Sequence, residues 1–337
     1  MSNKLTFGYL YDFRNPPQWH KPWHTLYGEI LDAVAWTEEA GFYGAWVPEH
    51  HLADDGYMPS PLVALSAIAA RTKKIKLGSG IALAPLYHPT RFAEDSAVLD
   101  IISGGRLEMG LAIGYRRRET AAFGVDFGKR GRLFDEWLQI VSRLWVGETV
   151  DFAGQYFQIR GAKVMPPPPR GRIPLYIGGF AGKAMDRVAR YGDGYIGSPD
   201  VCDLYVDKLR EHGKDLSQAK VRTTSLFIVA AHDPEKATEE LAPYYHHVNN
   251  SYGEWFYEDK ALGLEDGSAM KPMSLDAFKK SGTLQIMTPE TAIAMFKAMQ
   301  ERMPLDHVMM MMPPGLPAAR FVEYAQVFAN EVIPAFS

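Results

Sequence analysis

The feature that most constrains this chain is a repeating alternation of a short apolar run with a longer amphipathic segment. Leu5–Phe13 reads as a strand, and Tyr27, Leu31, Val34 and Ala35 then recur at helical spacing. The same couplet returns as Tyr43–Pro48 with Pro61–Arg71, then as Lys74–Leu83 with Thr90–Ile102. Arg106–Gly114 is a fourth strand. In the helix that follows, Leu133, Trp137, Ile140, Val141, Leu144 and Trp145 stand at offsets 0, 4, 7, 8, 11 and 12, on one face. The alternation then breaks. Val150–Phe152 and Tyr156–Ile159 flank Ala153-Gly154-Gln155 as a small hairpin, and Pro166–Pro169 forms a stiff extended connector. It resumes with strands at Pro174–Ile177, Gly194–Ser198 and Thr223–Ala230, separated by helices at Lys183–Tyr191 and Asp203–His212. Thr288-Pro289-Glu290 carries a hydroxyl cap followed by proline, the mark of a helix start. Val308–Met312 is a late strand, and Phe321, Ala325, Phe328 and Val332 form a closing helical stripe.

About eight strands, each followed by a helix, predict a (β/α)8 TIM barrel. Several strands are apolar throughout, as parallel strands buried on both faces must be. The fold typically needs about 250 residues, and this chain has 337. The excess falls in insertions at about 145–173 and 249–281. The alternative is an open doubly wound sheet, but no glycine fingerprint follows the first strand. With no repeat and no flexible linker, residues 1–337 read as a single domain. A lone cysteine, Cys202, excludes an intrachain disulfide and points to a reducing, cytoplasmic compartment. No apolar run approaches the ~20 residues of a membrane span, and the N-terminus lacks the apolar core of a secretory signal. A formal charge of -4 argues against a nucleic-acid or anionic-membrane surface.

In such a barrel the chemistry lies at the C-terminal ends of the strands. The second strand ends in Trp46-Val47-Pro48-Glu49-His50-His51. A glutamate and two histidines there are either functional, with histidine suited to proton transfer near neutral pH, or one is a core histidine and one caps the next loop. Adjacent side chains point to opposite faces, which disfavours one shared metal ion, and no metal is expected. Gly78-Ser79-Gly80-Ile81 in the third strand marks either close approach of a flat ligand or a bulge at the rim. Gly178-Gly179-Phe180-Ala181-Gly182-Lys183 opens a helix, where backbone N–H groups favour an anion such as phosphate. Arg116, Arg117, Arg118, Arg130 and Arg132 are further anion candidates. Trp19, Trp23, Trp255, Phe256 and Tyr257 either line an apolar pocket or pack loops onto the barrel.

Taken together, WVPEHH (Trp46–His51), RTKKIKLGSGIALAPLYHP (Arg71–Pro89), DIISGGRLEMGLAIG (Asp100–Gly114), AFGVD (Ala122–Asp126) and IPLYIGG with YGDGYI resemble the bacterial-luciferase-like family of flavin-dependent monooxygenases. The pieces occur in the family's order over most of the chain. The resemblance implies an eight-fold α/β barrel, with His50 as the catalytic histidine beside the reactive edge of a flavin and Glu49 as its acidic neighbour. It implies a non-proline cis peptide at Gly80-Ile81 against the ring, an FMN phosphate held by Gly179, Phe180, Ala181 and Gly182, and a cofactor contact at Ser198. The late insertion matches a lid. Ile113 stands where luciferase itself has a phosphate-binding arginine, so Arg116, Arg130 or Arg132 would share that charge with the turn. Ala112 replaces a reactive cysteine of luciferase. Both departures argue for a general oxygenase rather than a light-emitting enzyme.

The expected function is therefore a two-component FMN-dependent monooxygenase acting through a C4a-peroxyflavin. Reduced FMN would come from a separate NAD(P)H:flavin reductase, and the substrate would be a small apolar or aromatic molecule. An F420-dependent oxidoreductase of the same superfamily and a non-catalytic flavin-binding protein are the alternatives. The resemblance also implies a homodimer through the helices around the second and third strands.

Overall fold

The computed structural model describes residues 4–224, 227–261 and 271–337. Eight parallel strands close into a barrel: β1 (Thr6–Leu10), β2 (Gly44–Val47), β3 (Lys76–Leu83), β4 (Leu107–Ala112), β5 (Leu175–Ile177), β6 (Gly194–Gly197), β7 (Val221–Thr223) and β8 (Leu305–Met311). Each strand pairs with its neighbour in sequence, and β8 returns to β1, where Phe7 lies opposite Val308. The outer layer contains α1 (Trp23–Glu39), α2 (Pro61–Arg71), α3 (Pro89–Ile102), α4 (Arg117–Ala122), α5 (Arg130–Trp145), α6 (Gly182–Tyr191), α7 (Cys202–Glu211), α8 (Pro234–Ala261), α9 (Leu275–Lys280), α10 (Pro289–Arg302) and α11 (Ala318–Val327).

The barrel interior shows how sequence sets the closure. Trp46 points inward, and glycines make room for its indole. A Cβ on Gly44 would lie 2.8 Å from the Trp46 ring, one on Gly78 2.7 Å from it, and one on Gly8 3.0 Å from its nitrogen. That nitrogen donates to His307 Nε2 at 2.8 Å, so the filler is also hydrogen-bonded. Below it, Arg222 pairs with Glu108 at 2.6 Å and donates to the Tyr176 hydroxyl at 2.7 Å. The α5 stripe buries Trp137, Ile140, Val141, Leu144 and Trp145 as its spacing predicts. Each such side chain contributes roughly 1.5–3 kcal/mol on leaving water. Leu133 is only half-buried, and Phe134 and Leu138 take the inward positions beside it.

One expectation is corrected, and two others gain detail. The segment Thr223–Ala230 is not one strand. β7 ends at Thr223, and Ile228–Ala230 pairs instead with Gln285–Met287 in a separate parallel ribbon. The late insertion begins inside a 28-residue helix, α8, which continues through Pro243; residues 262–270 of the insertion lie outside the described residues. The closing stripe is α11 followed by a wider π-turn at Phe328–Val332. The first insertion does hold a hairpin, Val150–Ala153 against Gln158–Ala162. The Glu136 carboxylate pins its turn by accepting the N–H groups of Gln155, Tyr156 and Phe157.

Candidate functional site

Because all eight strands are parallel, their C-terminal ends share one mouth. His50 follows β2 there and is 6% exposed. Its Nδ1 lies 2.9 Å from Oε1 of Glu119, a residue of α4. The same oxygen accepts the His51 backbone N–H at 2.8 Å and Arg116 Nη1 at 3.1 Å. Burial alone would raise the Glu119 pKa, but these bonds, led by the one from His50, hold it below the ordinary carboxylate value. Glu119 is therefore an acceptor only, so Nδ1 carries the imidazole proton. Burial lowers the His50 pKa, Glu119 opposes this in part, and the Arg116 and Arg14 charges add to the lowering. The ring is neutral at pH 7, with its lone pair on Nε2. Nε2 makes no hydrogen bond to any of the described residues.

Aromatic rings surround this imidazole: Tyr57 at 4.7 Å, Trp255 at 4.9 Å, Tyr252 at 5.5 Å and Tyr115 at 5.7 Å between centroids. Tyr252 and Trp255 come from α8, so this helix covers the His50 corner. Arg14, after β1, is buried and anchors the cover. It donates to Asp55 at 2.6 Å and to the α8 hydroxyl of Ser251 at 2.6 Å, and Asp55 also meets His247 of α8 at 2.8 Å.

Glu49 is placed differently from the expectation that it acts beside His50. Its side chain takes the opposite direction, as adjacent extended residues must. It accepts the Leu83 N–H at 2.7 Å, the Tyr87 hydroxyl at 2.7 Å and His51 Nε2 at 2.9 Å. It is a positioning residue that ties the end of β3 to the end of β2. Arg116 is likewise not laid out along the mouth as an anion ligand. It is buried, donates to the His51 carbonyl and Glu119, and stacks 4.0 Å over the Trp255 ring. Arg130 donates to the carbonyls of Gly114 and Phe127, with its guanidinium 3.4 Å over the Phe127 ring.

The remaining expected residues line an open floor. The Gly80-Ile81 peptide is cis. Gly80, Ile81, Ala112, Ile113, Gly114, Gly179, Gly197 and Ser198 are all only half-buried, although they end strands of a closed barrel. A Cβ on Gly178 would come within 2.7 Å of Ile81 Cδ1. Gly179 has φ +147, which an L side chain rarely adopts. Beyond it, α6 begins with no side-chain cap on Ala181 and no acidic residue in its first turn. The first N–H groups of a helix have no acceptor within it, and they attract an anion. Phe180 is 74% exposed beside them. Ser198 caps a short 3-10 turn by accepting the Asp200 N–H. A flat ring over small residues and a phosphate at an uncapped helix start both suit this surface, so the residues present fit a flavin nucleotide.

Glu119, Arg14, Asp55 and His247 escape sequence reasoning. Glu119 sits in the polar run Arg116-Arg117-Arg118-Glu119-Thr120, which has the look of a solvated helix face. Only its position within AFGVD's flank, shared with the quoted pieces, marks the segment.

The family model for luciferase-like monooxygenases matches residues 5–305. The oxygenase component of the flavin-dependent trigonelline monooxygenase of Acinetobacter baylyi is 26% identical over 333 residues, 93% of this chain and 90% of that protein. An F420-dependent glucose-6-phosphate dehydrogenase of Amycolatopsis mediterranei is 27% identical over 261 residues, 75% of this chain and 72% of that protein. In fold, the chain is similar to the monooxygenase RslO1 from Streptomyces bottropensis, with a TM-score of 0.83 at 21% identity over 99% of this chain and 100% of that one. With the barrel, the open floor and the match over most of its length together, the chain belongs to the luciferase-like monooxygenase family.

Proposed function

We propose that this chain is the oxygenase component of a two-component FMN-dependent monooxygenase. The observation that carries the reading is the set of half-buried small residues at the C-terminal mouth of the barrel, Gly80-Ile81 among them, together with the uncapped start of α6 and with His50 at the end of β2 on the same mouth. Gly179, Phe180, Ala181 and Gly182 would hold the phosphate, Gly80 and Ile81 would lie under the ring, and Ser198 would stand beside it. Reduced FMN, when bound, supplies the electrons that activate O2 for transfer to an organic substrate.

The protein's own part is positional and protonic. Glu119 fixes the His50 tautomer, so Nε2 accepts a hydrogen bond or a proton at the reacting corner. Tyr57, Tyr252 and Trp255 keep water from that corner. Similarity to the oxygenase component of a flavin-dependent monooxygenase supports a separate flavin reductase as partner, and the aromatic side chains around His50 support a small apolar or aromatic substrate. Among the described residues no helix is long and apolar enough to cross a membrane. Exposed Val63 on α2 with Val98, Ile101 and Ile102 on α3 supports a homodimer through that face.

Anaerobic equilibrium dialysis against reduced FMN and F420 is the test, followed by mass spectrometry of products formed under 18O2. Tight binding of reduced FMN with label in the product is expected. Preferential binding of F420 with no label would instead favour hydride transfer, the reading that similarity to an F420-dependent dehydrogenase supports. A His50→Ala variant is expected to bind reduced FMN normally and turn over roughly a hundredfold more slowly.

A further inference from the structure

We propose that Trp255 of α8 occupies the substrate slot of this site, and that a flat, electron-rich aromatic ring bearing an oxygen substituent takes its place between Arg116 and His50. The inference rests on the reading that the His50 corner is where the reaction occurs.

Trp255 is 9% exposed, yet it is held unlike the core tryptophans. Trp46 donates to His307, Trp137 to the Tyr87 carbonyl and Trp145 to the Ser96 hydroxyl. Those three N–H groups are sealed in the core and need such partners. The N–H of Trp255 makes no hydrogen bond to any of the described residues. Its ring is held through its faces and edges alone. The Arg116 guanidinium lies 4.0 Å above it, His50 tilts against it at 4.9 Å, and Tyr252 and Tyr57 meet it edge-on at 5.3 and 5.9 Å. Any flat ring of similar size can reproduce those contacts.

The slot's chemistry then selects the ring. A guanidinium over an aromatic face favours electron density in that face. Arg14, itself paired with Asp55, lies 5.8 Å from the same indole, so a second guanidinium faces the slot. Glu119 balances Arg116 from the side, through Nη1, while the indole lies over Cζ. A saturated ring lacks the π face, and a cationic ring opposes both guanidinium groups. One further group is waiting: the Tyr115 hydroxyl is buried and has no hydrogen-bond partner, and its ring stands 5.7 Å from His50. It would donate to an oxygen on the incoming ring.

The test uses the full chain without flavin and three probes of like size: 4-methylphenol, 4-methylcyclohexanol and N-methylpyridinium. Equilibrium dialysis gives each Kd, and the emission difference between wild type and Trp255→Phe reports Trp255 itself. We expect 4-methylphenol to bind at least about tenfold more tightly than either control and to shift the Trp255 emission to longer wavelength. Trp255→Ala should bind it about tenfold more tightly than wild type, because no indole has to leave. Should that variant not fold, Trp255→Leu makes the same comparison. Tyr115→Phe should weaken 4-methylphenol about tenfold and leave toluene unchanged. Equal affinity for the three probes, or no gain on removing Trp255, overturns the proposal. Ranked binding without oxygenation under reduced FMN would sink the proposed function and leave the slot standing. Oxygenation with unranked binding would do the reverse.

Discussion

At the residue scale, two carboxylates that no spacing rule picks out set the properties of the mouth. Glu119 raises the His50 pKa against the stronger lowering by burial. Replacing it with glutamine removes that opposition, so the His50 pKa falls further. The acid limb of the pH–rate profile should move to lower pH, and the rate at pH 7.5 should drop roughly tenfold as the imidazole loses its fixed orientation. Reduced FMN should bind as before. Asp12 is the second case. Burial pushes its pKa up to about 7, with Arg14 opposing. Its folded value is thus above its unfolded one, so its contribution is greatest below pH 3.8 and is lost as the pH rises through 7. Asp12→Asn keeps an acceptor for the Arg14 N–H but cannot ionise. Relative to wild type, this variant should gain about 2 kcal/mol in unfolding free energy between pH 5 and pH 7, read from urea melts. No such gain would mean that Asp12 is ionised throughout. His50 was legible from its strand-end company of Glu49 and His51. Asp12, Arg14 and Glu119 were not, because their roles come from burial by elements distant in sequence.

At the scale of elements, legibility followed amphipathic contrast. Helix α5 could be read because its apolar residues share one side, and α10 because Thr288 accepts the Thr291 N–H as a cap before Pro289. Helix α8 could not. It carries Pro243 and the polar run His246-His247-Val248-Asn249-Asn250, which resemble a loop. Those polar side chains are used internally: Asn250 accepts the Met273 N–H, and His246 bonds the Met273 carbonyl. The seventh strand was misread because two short strands, Val221–Thr223 and Ile228–Ala230, lie close in sequence but belong to two different sheets. Strand β3 offers an element-level test. A Cβ on Gly78 would lie 1.7 Å from the Glu108 carbonyl on β4. Gly78→Ala should therefore push β3 and β4 apart and cost about 3 kcal/mol, lowering Tm by several degrees. A variant as stable as wild type would show that β3 shifts freely.

At the scale of the whole molecule, the exposed apolar side chains of α2 and α3 lead to an expected dimer mass by light scattering, and Val63→Glu with Ile102→Glu should give monomers. A wild-type monomer at all concentrations would remove that assignment. The barrel as a whole was legible because eight couplets of strand and helix leave few ways to close. The division of labour around its mouth was not. Leu83, Glu49, His51, Glu119 and His50 form an unbroken relay of bonds from the third strand to the imidazole. Disturbing any link would misplace the next. The opposite wall, contributed by α8, touches the same imidazole only through ring contacts. Anyone reshaping this enzyme for a new compound should leave the relay alone and vary Trp255 and Phe256 first, since the Tyr252 hydroxyl is bonded to Tyr57 and a change there would misalign that neighbour.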